Sequence, residues 1–148
     1  MILLVHMLFG AAIGSLIKNV YLAIILAFLS HYFLDLFPHV EYLIKNKGEK
    51  PLHDVLPDIF KVFLDFCIGL LIISLFSLNQ PIIYIYAFFA VIPDTLTVLN
   101  YFLPSKILNI HDKLHTKIHF LKNKKISNFW RILSQIMAVI ISIILLKN

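Results

Sequence analysis

Apolar residues fall in long blocks along the 148-residue chain, separated by short polar breaks. A membrane-spanning helix needs ~20 predominantly apolar residues, with ~17 as the lower limit. Five blocks meet that requirement, at about 1–17, 20–37, 58–78, 82–99 and 129–146. Lys18-Asn19 predicts a tight turn after the first block, and Pro38 ends the second. Asn79-Gln80-Pro81 predicts another turn, with its proline suited to the first position of the next helix. Residues 39–57, with Lys45, Lys47, Gly48, Glu49, Lys50 and Pro51, read as a polar loop. Residues 100–128 read as a basic loop with an amphipathic helix of its own. The pattern predicts an all-α integral membrane protein, a single domain over 1–148, with about five transmembrane helices in a compact bundle. Spans one and two form one hairpin, and spans three and four another.

Composition agrees with this pattern. Apolar residues make up 60% of the chain and charged residues 14%, against a usual balance of roughly 45–50% and 25%. The first block lacks a basic residue before Lys18, so it reads as a retained span rather than a signal peptide. Cys67 is the only cysteine, which excludes an internal disulfide and a thiolate zinc cluster. The formal net charge is +5. On the five-span topology, the side holding the N-terminus carries Lys45, Lys47, Lys50, Lys61, Lys106, Lys113, Lys117, Lys122, Lys124, Lys125 and Arg131. The other side carries only Lys18 and Lys147. Basic loops face the cytoplasm, so the N-terminus is expected to be cytoplasmic and the protein to lie in the cytoplasmic membrane. The basic residues lack an aromatic stacking surface, so lipid is the expected partner and nucleic acid is not. The oligomeric state is left open.

The same topology gathers residues that chain order scatters. All seven histidines and all six aspartates fall on the cytoplasmic half. His6 lies early in span one; His31, Asp35 and His39 sit at the end of span two. Asp58 and Asp65 open span three, Asp94 lies near the end of span four, and His111, His115 and His119 occupy the basic loop. Residues four apart share a helix face, which aligns His31 with Asp35 and His39, and His111 with His115 and His119. A charge well inside a bilayer costs ~2.5–3.5 kcal/mol on insertion scales. His31, Asp35, Asp65 and Asp94 are tolerable there if they face one another, a cation or water. Imidazole and carboxylate ligands suit zinc, manganese or iron.

Other polar residues have simpler readings. Asp58 after Pro57 is a natural helix-start acid, and Asp54 a cap for the same helix. His53 and Asp112 read as solvated loop residues, and Lys122, Lys124 and Lys125 as topology and lipid contacts.

The motifs resemble a known family. His6 followed by Gly10-Ala-Ala-Ile-Gly14, the stretch Ser30-His31-Tyr-Phe-Leu-Asp35-Leu-Phe-Pro38-His39, the Ile92-Pro93-Asp94 element and Leu114-His115-Thr-Lys-Ile-His119 carry the resemblance. Together they look like the small prokaryotic inner-membrane proteins known as membrane-bound metal-dependent hydrolases, the LexA-binding, inner-membrane-associated hydrolase family. Better-known members carry Pro-Asp-Ile-Asp-His and His-Arg-Gly-x-Thr-His runs. Here the first reads Pro93-Asp94-Thr-Leu and the second is absent. The resemblance implies a hydrolase with a divalent metal, zinc first, then manganese or iron. Residues and resemblance together nominate His6, His31, Asp35, Asp65, Asp94 and His115 as metal ligands. Asp35, Asp65 and Asp94 are also the catalytic candidates, with His39, His111 and His119 as a second tier. Their depth suggests a lipid ester or phosphoester at the cytoplasmic headgroup level. Two alternatives stand beside this reading: a proton or divalent-cation carrier, and a non-catalytic membrane docking module.

Overall fold

The computed structural model describes residues 1–40, 52–77, 80–121 and 125–147. Among them are six helices and no strand: α1 (Leu3–Ser15), α2 (Val20–Asp35), α3 (Leu52–Phe76), α4 (Ile82–Phe102), α5 (Lys106–Ile118) and α6 (Asn128–Leu146). Lys45, Lys47, Lys50, Lys122 and Lys124, which enter the orientation count, lie outside the described residues, as does most of the expected 39–57 loop. Two helix starts have side-chain caps, which give an otherwise unpaired N–H of the first turn an acceptor. Asn19 accepts from the Leu22 amide at 3.1 Å, and Ser105 accepts from the Leu108 amide at 3.2 Å.

Among the described residues, three helices are long and apolar enough to cross a membrane, within Leu56–Phe76, Ile82–Asn100 and Asn128–Leu146. This is fewer than the five expected. The first two blocks fall short because their helices stop early. α1 has 13 residues and α2 has 16. At 1.5 Å per residue they extend ~20 Å and ~24 Å, against ~30 Å of hydrocarbon. The third block also starts earlier than its apolar pattern suggests. α3 begins at Leu52 and carries Pro57 inside it, so His53 and Asp54 belong to a helix rather than to a loop.

α1 is the centre of the bundle. It packs against α2, α3, α4 and α6, and Val5, Leu8, Ala11 and Ala12 are fully buried. A helix apolar on every face is stable only when enclosed on every face. Glycines permit the closest approach. A Cβ at Gly10 would strike the Ala90 side chain, and one at Gly14 would strike Tyr86. Gly10 and Gly14 thus let α1 and α4 cross backbone to backbone. The outer faces are apolar too. Ile25 and Leu29 on α2, Phe63 and Leu71 on α3, and Ile136 and Ile144 on α6 are all exposed. Apolar surface on this scale, both inside and outside the bundle, fits a lipid surround.

α5 turns back beside α4. Asn100 donates to Asn109 at 3.1 Å, and Thr97 meets His115 at 3.2 Å. The two helices are therefore antiparallel, and the α5 histidines descend toward the middle of α4.

Candidate metal centre

The start of α1 is buried among the other helices, where its amides cannot reach water. The first N–H groups of a helix lack intrahelical acceptors, and other helices supply them here. The Leu4 amide donates to Asp65 Oδ2 at 2.9 Å. The Ile2 amide donates to Gln135 Oε1 at 3.4 Å. The Met1 amino group donates to Asp35 Oδ1 at 2.8 Å. Asp65 thus has a partner and a physical reason for its depth: it caps a buried helix from α3.

Beside that helix start, α1, α2 and α5, with the residues just past α2 and α5, bring imidazoles around Asp35. His31 Nε2 lies 3.1 Å, His115 Nε2 3.3 Å and His119 Nε2 3.1 Å from Asp35 Oδ2. His6 Nε2 lies 3.3 Å and His39 Nε2 3.8 Å from Asp35 Oδ1. His31 Nε2 is 3.0 Å from His115 Nε2, which is 3.3 Å from His119 Nε2. Asp94 Oδ1 closes the group, 3.5 Å from His31 Nε2 and 3.6 Å from His115 Nε2. Donor atoms on one tetrahedral or octahedral ion at ~2.1 Å stand about 3.0–3.4 Å apart. The spacings in this cluster are close to that range. Among the described residues, three sets of donors are compact enough to hold a metal: His6, His31 and Asp94; His31, Asp35 and His115; and Asp35, His39 and His119.

The far side of each ring explains how these nitrogens are presented. His31 Nδ1 lies 2.8 Å from the Ala90 carbonyl, and His39 Nδ1 lies 2.7 Å from the Phe37 carbonyl. A carbonyl only accepts, so each Nδ1 carries a proton, and in the neutral ring Nε2 then holds the lone pair. The Thr97 hydroxyl, which donates to the Pro93 carbonyl at 3.3 Å, accepts from His115 Nδ1 at 3.2 Å. Metal-bound histidines are held this way, with the second nitrogen donating to a fixed oxygen. With both rings neutral, His31 and His115 present lone pairs to each other across 3.0 Å, an arrangement that a shared cation relieves. Two further features fit a metal. His6 is fully buried, stacked on His31 with ring centroids 3.9 Å apart, and neither of its nitrogens has a hydrogen-bond partner among the described residues. Asp35 Oδ2 is buried and, among the described residues, makes no hydrogen bond despite its three imidazole neighbours.

Surrounding elements hold these parts in place. Arg131 donates to the His39 carbonyl at 3.1 Å, and Ser134 donates to the Pro38 carbonyl, so α6 fixes the chain just after α2. Gly10 lets α4 approach closely enough for the Ala90 carbonyl to reach His31.

Five of the six first-tier ligands converge: His6, His31, Asp35, Asp94 and His115. The sixth, Asp65, is in none of the three donor sets and serves the α1 amide instead. Of the second tier, His39 and His119 join the cluster, whereas His111 stands beside it. The Tyr32 hydroxyl meets His111 Nε2 at 3.0 Å, and burial beside His115 lowers the His111 pKa. Asp58 is remote from the cluster in role, paired with Lys61 at 2.9 Å near the surface. Residues that span counting passed over are Thr97, Gln135, Arg131 and Ser134. Thr97 lies one turn after Asp94, and Gln135 interrupts the apolar run of α6; both were visible as polar breaks without an evident partner.

Searches against known protein families, curated proteins and solved structures found no match to this chain.

Proposed function

We propose that this protein is a metal-dependent hydrolase of the cytoplasmic membrane, with zinc as the preferred ion, akin to the membrane-bound metal-dependent hydrolases its motifs resemble. The observation that carries this reading is the set of imidazole Nε2 atoms, turned inward by fixed Nδ1 partners, around one buried carboxylate. His31, His115, Asp35 and Asp94 would hold the ion. A divalent ion supplies Lewis-acid activation of an ester or phosphoryl oxygen and of water.

The rest of the chain would orient and admit the substrate. Asp94 is the most open carboxylate of the cluster, with its side chain 34% exposed, while that of Asp35 is sealed. Tyr32 and His111 sit at the same edge and form a hydrogen-bonded pair able to hold a proton there. We place the N-terminal side in the cytoplasm, with α1 and α2 ending at the site instead of at the membrane boundary. Asp35 then lies about 24 Å from the far end of α2 and some 6 Å inside a ~30 Å hydrocarbon layer. An apolar groove of about 450 Å³ runs between α1 and α6. Ile136, Val139 and Ile140 line its far part, and Ile2 and Val40 line the end beside His39. Its size and lining suit an acyl chain, so we take a membrane lipid as the substrate.

The test is turnover. Zinc-loaded protein in phospholipid vesicles should release fatty acid or phosphorylated headgroup, and His31→Ala and Asp94→Asn should abolish the release. Stoichiometric metal with no release from any glycerophospholipid class would overturn the hydrolase reading.

A further inference from the structure

One ion does not use the donors present. The set His6, His31 and Asp94 shares no residue with the set Asp35, His39 and His119. Each supplies three donors, which is what a catalytic zinc takes from protein while keeping one position open. His115 lies between them, 3.0 Å from His31 Nε2 on one side and 3.3 Å from His119 Nε2 on the other. Asp35 touches both sets with each oxygen. Its Oδ1, which also accepts from the Met1 amino group, lies near His6 and His39, and its Oδ2 near His31, His115 and His119. All of these atoms surround a single carboxylate, so two ions bound to the two sets would be near neighbours.

We infer that the centre holds two divalent ions, bridged by the carboxylate of Asp35. His6, His31 and Asp94 hold one, His39 and His119 hold the other with Asp35, and His115 between them is a ligand within reach of both. This inference rests on the metal-dependent reading above and adds its nuclearity. Paired ions about 3.5–4 Å apart are suited to in-line displacement at phosphorus, because they steady the attacking and leaving oxygens together. The substrate class this favours is a phosphoester over a carboxylic ester. The linkage is cleaved by water: a P–O bond to water's oxygen forms, the bond to the alcohol oxygen breaks, and the alcohol takes up a proton.

The test counts ions on the full-length protein in detergent micelles. After zinc loading and dialysis, elemental analysis should give two ions per chain. His39→Ala combined with His119→Ala should retain one, and so should His6→Gln combined with Asp94→Asn. A single ion in the unaltered protein would overturn the two-ion centre and leave the metal-dependent reading standing. No bound ion would overturn both. A second measurement needs no variant. Manganese-loaded protein should show an electron paramagnetic resonance spectrum altered by coupling between neighbouring spins; a spectrum of isolated ions at full occupancy would refute the bridge.

Discussion

Replacing Asp65 by alanine separates two roles that a buried acid can play. Asp65 is 8% exposed and accepts the Leu4 amide at 2.9 Å. With alanine the amide stays buried and loses its acceptor, at a cost of about 1–3 kcal/mol. Loss of a negative charge at the start of α1 adds roughly 0.3–1 kcal/mol. Together these come to about 1.5–4 kcal/mol. Asp65→Asn keeps an oxygen in the same place, so its loss should be confined to the charge contribution, under about 1 kcal/mol. The assay is unfolding in detergent micelles followed by circular dichroism, with metal content measured on the same samples. Asp65→Ala should unfold more readily and Asp65→Asn only slightly more so, both with the metal content of the unaltered protein. If Asp65→Ala lost its metal while unfolding like the unaltered protein, the capping role would be refuted and Asp65 would return to the ligand set.

Thr97→Val preserves side-chain shape but removes the acceptor of His115 Nδ1; zinc affinity, read by competition with a chromogenic chelator, should fall about 10–100-fold with helix content unchanged. Gly10→Val drives a side chain into Ala90, and an overpacked crossing costs about 1–3 kcal/mol; its unfolding should come earlier, and its zinc binding should weaken because the Ala90 carbonyl no longer reaches His31. Zinc affinity should also fall as the pH is lowered, because protons compete with the ion for imidazole nitrogen, and chelator titrations from pH 8 to pH 5 would measure it.

Much of the fold was legible in the apolar pattern. Spans 82–99 and 129–146 correspond closely to α4 and α6, since a mostly apolar run with a proline or polar break at its edge leaves little choice of boundary. The first two blocks were harder, because span length cannot distinguish a helix that crosses lipid from one enclosed by other helices. α1 is enclosed, and its apolar faces meet protein on every side. The cluster was legible for a topological reason. Hairpins return the chain to the same side, so His6, His31, Asp35 and Asp94 meet near one plane, and four-residue spacing ties His39 to Asp35 and His119 to His115. Asp65 shared that plane and that charge, yet its partner is a backbone amide, which leaves no mark in the sequence. Thr97 and Gln135 were hidden for the same reason: their roles depend on which helix faces them.

The most direct test of the account is X-ray absorption at the zinc edge on the purified, zinc-loaded protein. The account predicts nitrogen and oxygen ligands at about 2.0–2.2 Å, with the outer scattering of several imidazoles, and loss of that signal in Asp35→Ala. A protein that retains no zinc, or zinc whose spectrum is the same with and without Asp35, would contradict it.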